Sequence, residues 1–125
     1  MNQLQLVTLD QARLLKSIGF TWETEHYFMG SGRSFSSDPI DNHNREMTKE
    51  KYSRPTIAHA LMFLREVKGV HGWVQFAYKE LPSDWSGFYM RLKERQPRAT
   101  NVVCEKDPDV ALTALLTEIL KIVSK

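Results

Sequence analysis

A chain of 125 residues, 42% apolar and 26% charged, is long enough for one domain with a real core and has the composition of a soluble globular protein. Seventeen basic against fifteen acidic side chains leave a net charge of +2, so only a local patch, not the whole molecule, could attract nucleic acid or anionic lipid. The single cysteine, Cys104, excludes an internal disulfide and a multi-cysteine zinc site, and fits a reducing, cytoplasmic setting.

Met1 to Val7 lacks the basic start and long apolar run of a signal peptide. No window approaches the roughly 18 apolar residues that span a bilayer, so no membrane partner is expected. Thr8 and Gln11 have the spacing of a capping box. Leu9, Ala12, Leu15 and Ile18 then make one apolar stripe, and Gly19 stops a helix of about three turns. Residues 21–28 alternate, with Trp22, Thr24, His26 and Phe28 on one face and Glu23, Glu25 and Tyr27 on the other, as in an edge strand.

From Met29 to Arg54 the composition turns to Gly, Ser, Asp, Asn and Pro, the pattern of a long polar loop. Mobility is expected around 30–51, with a turn of helix near Met47–Lys51. The strongest helical signal follows. Thr56 is its cap, or alternatively Pro55 its first residue; Ile57, Ala60, Leu61, Leu64 and Val67 form its buried face, and Gly69 ends it. Trp73–Tyr78 and Phe88–Lys93 read as two antiparallel strands, with Phe88, Met90 and Leu92 inward, and Thr100–Cys104 as a short third. Asp107-Pro108-Asp109 is a strong helix start, and Leu112, Leu115, Leu116, Ile119 and Ile122 give that helix a broad apolar face. Lys121 and Lys125 sit near its end, where cations suit the helix dipole.

Leu9-Asp10-Gln11-Ala12, Gly19-Phe20, Leu64-Arg65-Glu66-Val67-Lys68-Gly69-Val70, the aromatic strand pair and Asp107 to Leu112 together carry a family resemblance. The chain resembles a group of small proteins, with no known activity, from Bacteroidetes genomes and their phages and mobile elements. The resemblance runs over most of the chain and is weakest from Met29 to Lys51. It implies a setting in phage-derived or mobile DNA and transfers no catalytic role to any residue.

The alternate face of the second strand carries the most suggestive constellation. Tyr89, Arg91, Lys93 and Arg95 are spaced by two, which in an extended chain points all four the same way, with Arg98 close behind. Beside Trp85 in the adjacent loop, such a row could hold phosphates and stack a base. It is also what a solvated or cation-protected sheet edge looks like. His26, His43, His59 and His71 lack metal-ligand spacing, and the Asp41-Asn42-His43-Asn44 run is more simply turn chemistry. Gly30-Ser31-Gly32-Arg33 lacks the lysine of a phosphate loop, no nucleophile elbow is present, and Glu23 with Glu25 is ordinary solvated strand surface.

The expected architecture is α+β, about three helices on one face of a small antiparallel sheet in a single domain over residues 1–125. The expected function is non-catalytic, without cofactor or metal. It is binding of another protein or of a second copy through Trp85, Tyr89, Arg91, Lys93 and Arg95. A nucleic-acid-binding module on the same face is the alternative, and an enzyme the third.

Overall fold

Each helix begins where its cap puts it. In the computed structural model, which describes residues 5–46, 48–77 and 84–124, α1 (Leu9–Ser17) opens on the expected capping box. Thr8 Oγ1 accepts from the Gln11 amide at 3.2 Å, and Gln11 Oε1 accepts from the Thr8 amide at 2.9 Å. Gly19, at φ 92°, turns the chain back so that the Phe20 amide donates to the Leu15 carbonyl, and the Phe20 ring is fully buried. The second helix, α2 (Ile57–Val67), is capped by Thr56, whose hydroxyl accepts from the His59 amide at 3.1 Å. The third, α3 (Pro108–Val123), starts with Asp107 accepting from the Asp109 and Val110 amides, and Pro108 in the first turn.

The fold is α+β as expected, but the strands form two sheets rather than one. The first sheet has the order β2-β1-β3, built from β1 (Thr24–Met29), β2 (Ser34–Asp41) and β3 (Lys51–Arg54). The second has the order β4-β5-β6, built from β4 (Val70–Ala77), β5 (Asp84–Arg91) and β6 (Thr100–Glu105). Every pairing is antiparallel. Pro55 follows β3 directly; lacking an N–H, it cannot extend the ladder, and the chain passes into α2. Residues 1–4, 47, 78–83 and 125, among them Tyr78 of the expected first strand and Met47 of the expected helical turn, lie outside the described residues.

The segment expected as a long polar loop, Met29 to Arg54, contributes β2 and β3. Pro39 is compatible with β2 because β2 is an edge strand, where a missing donor costs no ladder bond. The remaining stretch between these strands is held from beneath. Lys16 is 4% exposed, and its ammonium donates to the carbonyls of Glu46 (2.9 Å), Lys49 (2.6 Å) and Lys51 (2.9 Å), one for each of its protons. Burial pushes the Lys16 pKa down, with Glu46 opposing. Asn44 clamps the same stretch, its side chain donating to the Phe20 carbonyl at 2.8 Å and accepting from the Ser53 amide at 2.9 Å.

Helices α2 and α3 meet the second sheet at Gly72 and Gly87. A methyl group on Gly72 would collide with Ile119 Cδ1 and would lie 3.5 Å from both Leu115 Cδ2 and Leu61 Cδ2. One on Gly87 would lie 3.1 Å from Val103 Cβ and 3.3 Å from Leu115 Cβ. These two glycines let the α3 ridge of Leu115 and Ile119, both fully buried, settle against the strand backbones.

Candidate functional site

Directly paired residues of antiparallel strands share a face. Gly72 pairs with Tyr89, Val74 with Gly87, and Phe76 with Trp85, which puts all six on the helix side. Tyr89, Trp85 and Val74 accordingly pack against the core cluster. His71 pairs with Met90, Trp73 with Phe88, and Gln75 with Ser86, which puts these six on the opposite, outer side. Cys104, opposite Ser86, and Asn101, opposite Phe88, complete the outer face.

The sequence reading of β5 is therefore inverted. Phe88 and Met90, expected inward, face out, and Tyr89, expected outward, faces the helices. Both alternate sets are rich in apolar residues, so period-two alternation alone does not choose between them, and a one-residue shift exchanges the faces. The signal that does choose is glycine. Gly72 and Gly87 share their side with Tyr89, and a strand glycine marks close backbone approach.

The basic row does not form a single strand face. Arg91 is the last residue of β5, while Lys93 and Arg95 lie in the exposed turn beyond it. That turn is tied to the end of α2. The Leu92 amide donates to the Gly69 carbonyl at 2.8 Å, and the Lys93 stem lies over Gly69. Trp85 stands within β5 instead of at a loop tip, its ring 5.2 Å from that of Phe76. The structure thus keeps Tyr89 and Arg91, two apart in β5, on one side of the second sheet, with Lys93 and Arg95 in the turn beyond and Trp85 toward the other end of the strand.

The outer face carries an aromatic cluster around Trp73, a residue whose place in the sequence suggests packing under a helix and which the register instead turns outward. The Trp73 ring stacks with His71 (5.3 Å, 22° between planes) and with Phe88 across the strand pair (5.5 Å, 15°). Its indole N–H donates to Gln75 Oε1 at 3.0 Å, which holds the ring in place. The outer positions His71, Trp73, Gln75, Ser86, Phe88, Met90, Asn101 and Cys104 include no carboxylate, ammonium or guanidinium. No described helix or strand is laid over them.

Two other features hold titratable groups. A cleft of about 320 Å³ lies between the start of β1, the end of β3 and the first turn of α2, with His26, Arg54 and His59 in its wall. Burial pushes the His59 imidazole below its ordinary pKa, and the ring lies 5.1 Å from Trp22. The hydroxyls in that wall are committed: Thr24 Oγ1 donates to the His26 carbonyl, and Thr56 Oγ1 caps α2. The Arg54 side chain donates to the Val7 carbonyl (2.9 Å) and to Ser34 Oγ (3.0 Å), with its guanidinium 4.5 Å from the Phe28 ring centre.

His43 is the other feature. It is 5% exposed and stacked 4.4 Å from the Tyr27 ring, with Nε2 at 3.1 Å from the Thr24 carbonyl and 3.0 Å from Ser37 Oγ. Burial, and then the Lys51 charge, push its pKa down against the Thr24 hydrogen bond and Asp41. Its neighbours Asp41, Asn42 and Asn44 turn their oxygens to the Asn42, Asn44 and Ser53 amides. This is the turn chemistry expected of that run. Among the described residues no three His, Cys, Asp or Glu side chains are grouped to hold a metal ion, and no helix is long and apolar enough to cross a membrane.

No family model matches the chain, and no curated protein or solved structure is significantly similar to it.

Proposed function

We propose that this chain is a non-catalytic binding protein that recognises another protein through the outer face of its second sheet. The observation that carries the reading is the stacked His71–Trp73–Phe88 cluster on a face without carboxylate, ammonium or guanidinium groups. An outward strand face in contact only with water is ordinarily polar, and an aromatic one already fixed in place loses little side-chain freedom on docking. Trp73 would be its energetic centre, since buried aromatic anchors dominate protein interfaces.

Nucleic acid is the alternative reading, favoured by the exposed Arg91, Lys93, Arg95 and Arg98. Against it, Trp73 is engaged by two near-parallel neighbours, so the π surface that a nucleobase needs is already in use. The setting in mobile DNA rests on the family resemblance alone and belongs to the same proposal.

The test compares wild type with Trp73→Arg as baits in crosslinking capture from an extract of the source cells, alongside titration of labelled single-stranded DNA and RNA. The reading expects proteins captured at moderate salt by the wild type and lost with Trp73→Arg, and no tight oligonucleotide binding. Identical captures by both baits, or oligonucleotide binding that collapses steeply with salt, would sink it.

A further inference from the structure

We infer that His43 is a pH-operated latch on the first sheet. When it takes up a proton, β2 and residues 42–46 come away from β1 and β3, while the helices and the second sheet stay folded. The inference goes beyond the binding reading above and does not depend on it. The latch sits at a gap in the ladder. Thr24 pairs with Asp41 and the next pair is His26 with Ser36, so residues 37–40 bulge past β1. Side chains meet the β1 carbonyls there instead. His43 Nε2 lies 3.1 Å from the Thr24 carbonyl and 3.0 Å from Ser37 Oγ, which itself donates to the Glu25 carbonyl at 3.3 Å. The His43 amide donates to Ser53 Oγ in β3 at 3.0 Å, and the ring stacks on Tyr27. One residue thus ties together all three strands.

A carbonyl oxygen only accepts, so Nε2 carries the proton of the neutral ring and Nδ1 is left as an acceptor. Nδ1 is buried, and among the described residues it has no hydrogen-bond partner. Protonation would place a charged N–H there with nothing to receive it. The charges around the ring do not relieve this. From β3 comes the Lys51 ammonium, 4.4 Å from the centre of the Tyr27 ring. From the end of β2 comes Asp41, whose carboxylate is already bonded to Arg45 at 2.6 Å and to the Asn42 amide at 2.8 Å. Arg45 and Glu46 follow His43 in the chain, and the Glu46 carboxylate is paired with Lys49 at 3.2 Å. β1 presents the Tyr27 ring and two carbonyls, and Lys16 of α1 holds its ammonium on the carbonyls of Glu46, Lys49 and Lys51.

The strand that the latch holds has little burial of its own. Of the eight residues of β2 only Ser37 and Asp41 are half-buried, and Phe35 is 42% exposed although its ring stacks on Tyr27 at 5.6 Å. A strand with so few buried apolar contacts opens locally at low cost. Opening returns the imidazole to water and to its ordinary value of 6.5, whereas burial, and then the Lys51 charge, hold the closed ring below that value. Between the two values the open form binds the extra proton, so opening grows by about tenfold for each pH unit of fall. The latch is fully effective above 6.5 and is lost as pH falls through the closed value.

Hydrogen exchange followed by NMR at neutral pH and at about pH 5.5 tests the latch, with rates expressed as protection factors so that the pH dependence of exchange itself cancels. The amides of β2, His43 and Ser53 are expected to lose roughly tenfold in protection over that interval, and to remain far less protected than those of α3 at both values. The loss should vanish in His43→Gln and persist in His59→Gln. The nitrogen shifts of the His43 ring should show a neutral Nε2–H tautomer at neutral pH. Wild-type protection that does not change overturns the inference, as does protection of β2 that falls only together with that of α3. A loss that persists in His43→Gln, or that follows His59 instead, overturns it too, and so does an Nδ1–H tautomer. The wild-type readings decide even where a variant fails to fold.

Discussion

Gly72→Ala puts the packing of α3 on the second sheet to a direct test. The new methyl group would overlap Ile119 Cδ1 and approach Leu115 and Leu61 side chains to 3.5 Å. Overpacking a filled core costs about 1–3 kcal/mol. Restricting the unfolded chain by replacing glycine with alanine returns about 0.4–1 kcal/mol. The net expectation is a destabilisation of about 1–2 kcal/mol, read as a lower urea midpoint with an unchanged slope. Ile119→Val removes the colliding atom at a cost of about 0.5–1.5 kcal/mol on its own. The double variant should therefore be more stable than the sum of the two single effects, by about 1 kcal/mol. Strict additivity, or a Gly72→Ala protein as stable as wild type, would show that Gly72 does not face α3. The inside-out assignment of β4 and β5 would fall with it.

Other expectations follow from the same contacts. Lys16→Met leaves the carbonyls of Glu46, Lys49 and Lys51 without their ammonium donor; it should cost about 2 kcal/mol in urea unfolding and speed amide exchange around 48–52 more than in α3. His43 and His59 both have folded pKa values depressed below the ordinary 6.5, chiefly by burial, so the unfolded chain takes up their protons first. Their contribution is complete above that value and is lost as pH falls through the folded values, so the melting temperature should drop between neutral pH and about pH 5. A melting temperature flat across that range would show these imidazoles to be better solvated than their surroundings suggest. Asp107→Ala should cost about 1 kcal/mol by removing the cap of α3, measured by the same unfolding titration.

Local chemistry carried most of the secondary structure. Thr8 with Gln11, Thr56 and Asp107 each mark a helix start, because capping needs only a side-chain oxygen at the right offset. Gly19 and Gly69 both adopt the positive φ expected of helix terminators. β2 was not legible, since Ser34-Phe35-Ser36-Ser37-Asp38-Pro39 shows turn chemistry and only its pairing with β1 makes it a strand. The hydrogen bonds behind it come from Lys16, a residue some thirty positions away whose role comes from the tertiary fold. In β5 the alternation was legible and its sense was not: Phe88 and Met90 face out and Tyr89 faces the helices. The glycines that fix the sense act through α3, more than forty residues beyond Gly72. Arg91, Lys93 and Arg95 were expected as a strand row, and the end of β5 at Arg91 breaks that row into a turn.

The most direct test of the docking face is residue-resolved NMR on labelled protein as an extract of the source cells is added. The account expects the Trp73 indole N–H and the amides of His71, Phe88 and Met90 to shift progressively, while Glu25, Tyr27 and Phe35 of the first sheet stay fixed. Shifts confined to the first sheet, or to Tyr89 and the helices behind it, would contradict the assignment of the outer face of β4 and β5 as the surface that meets a partner.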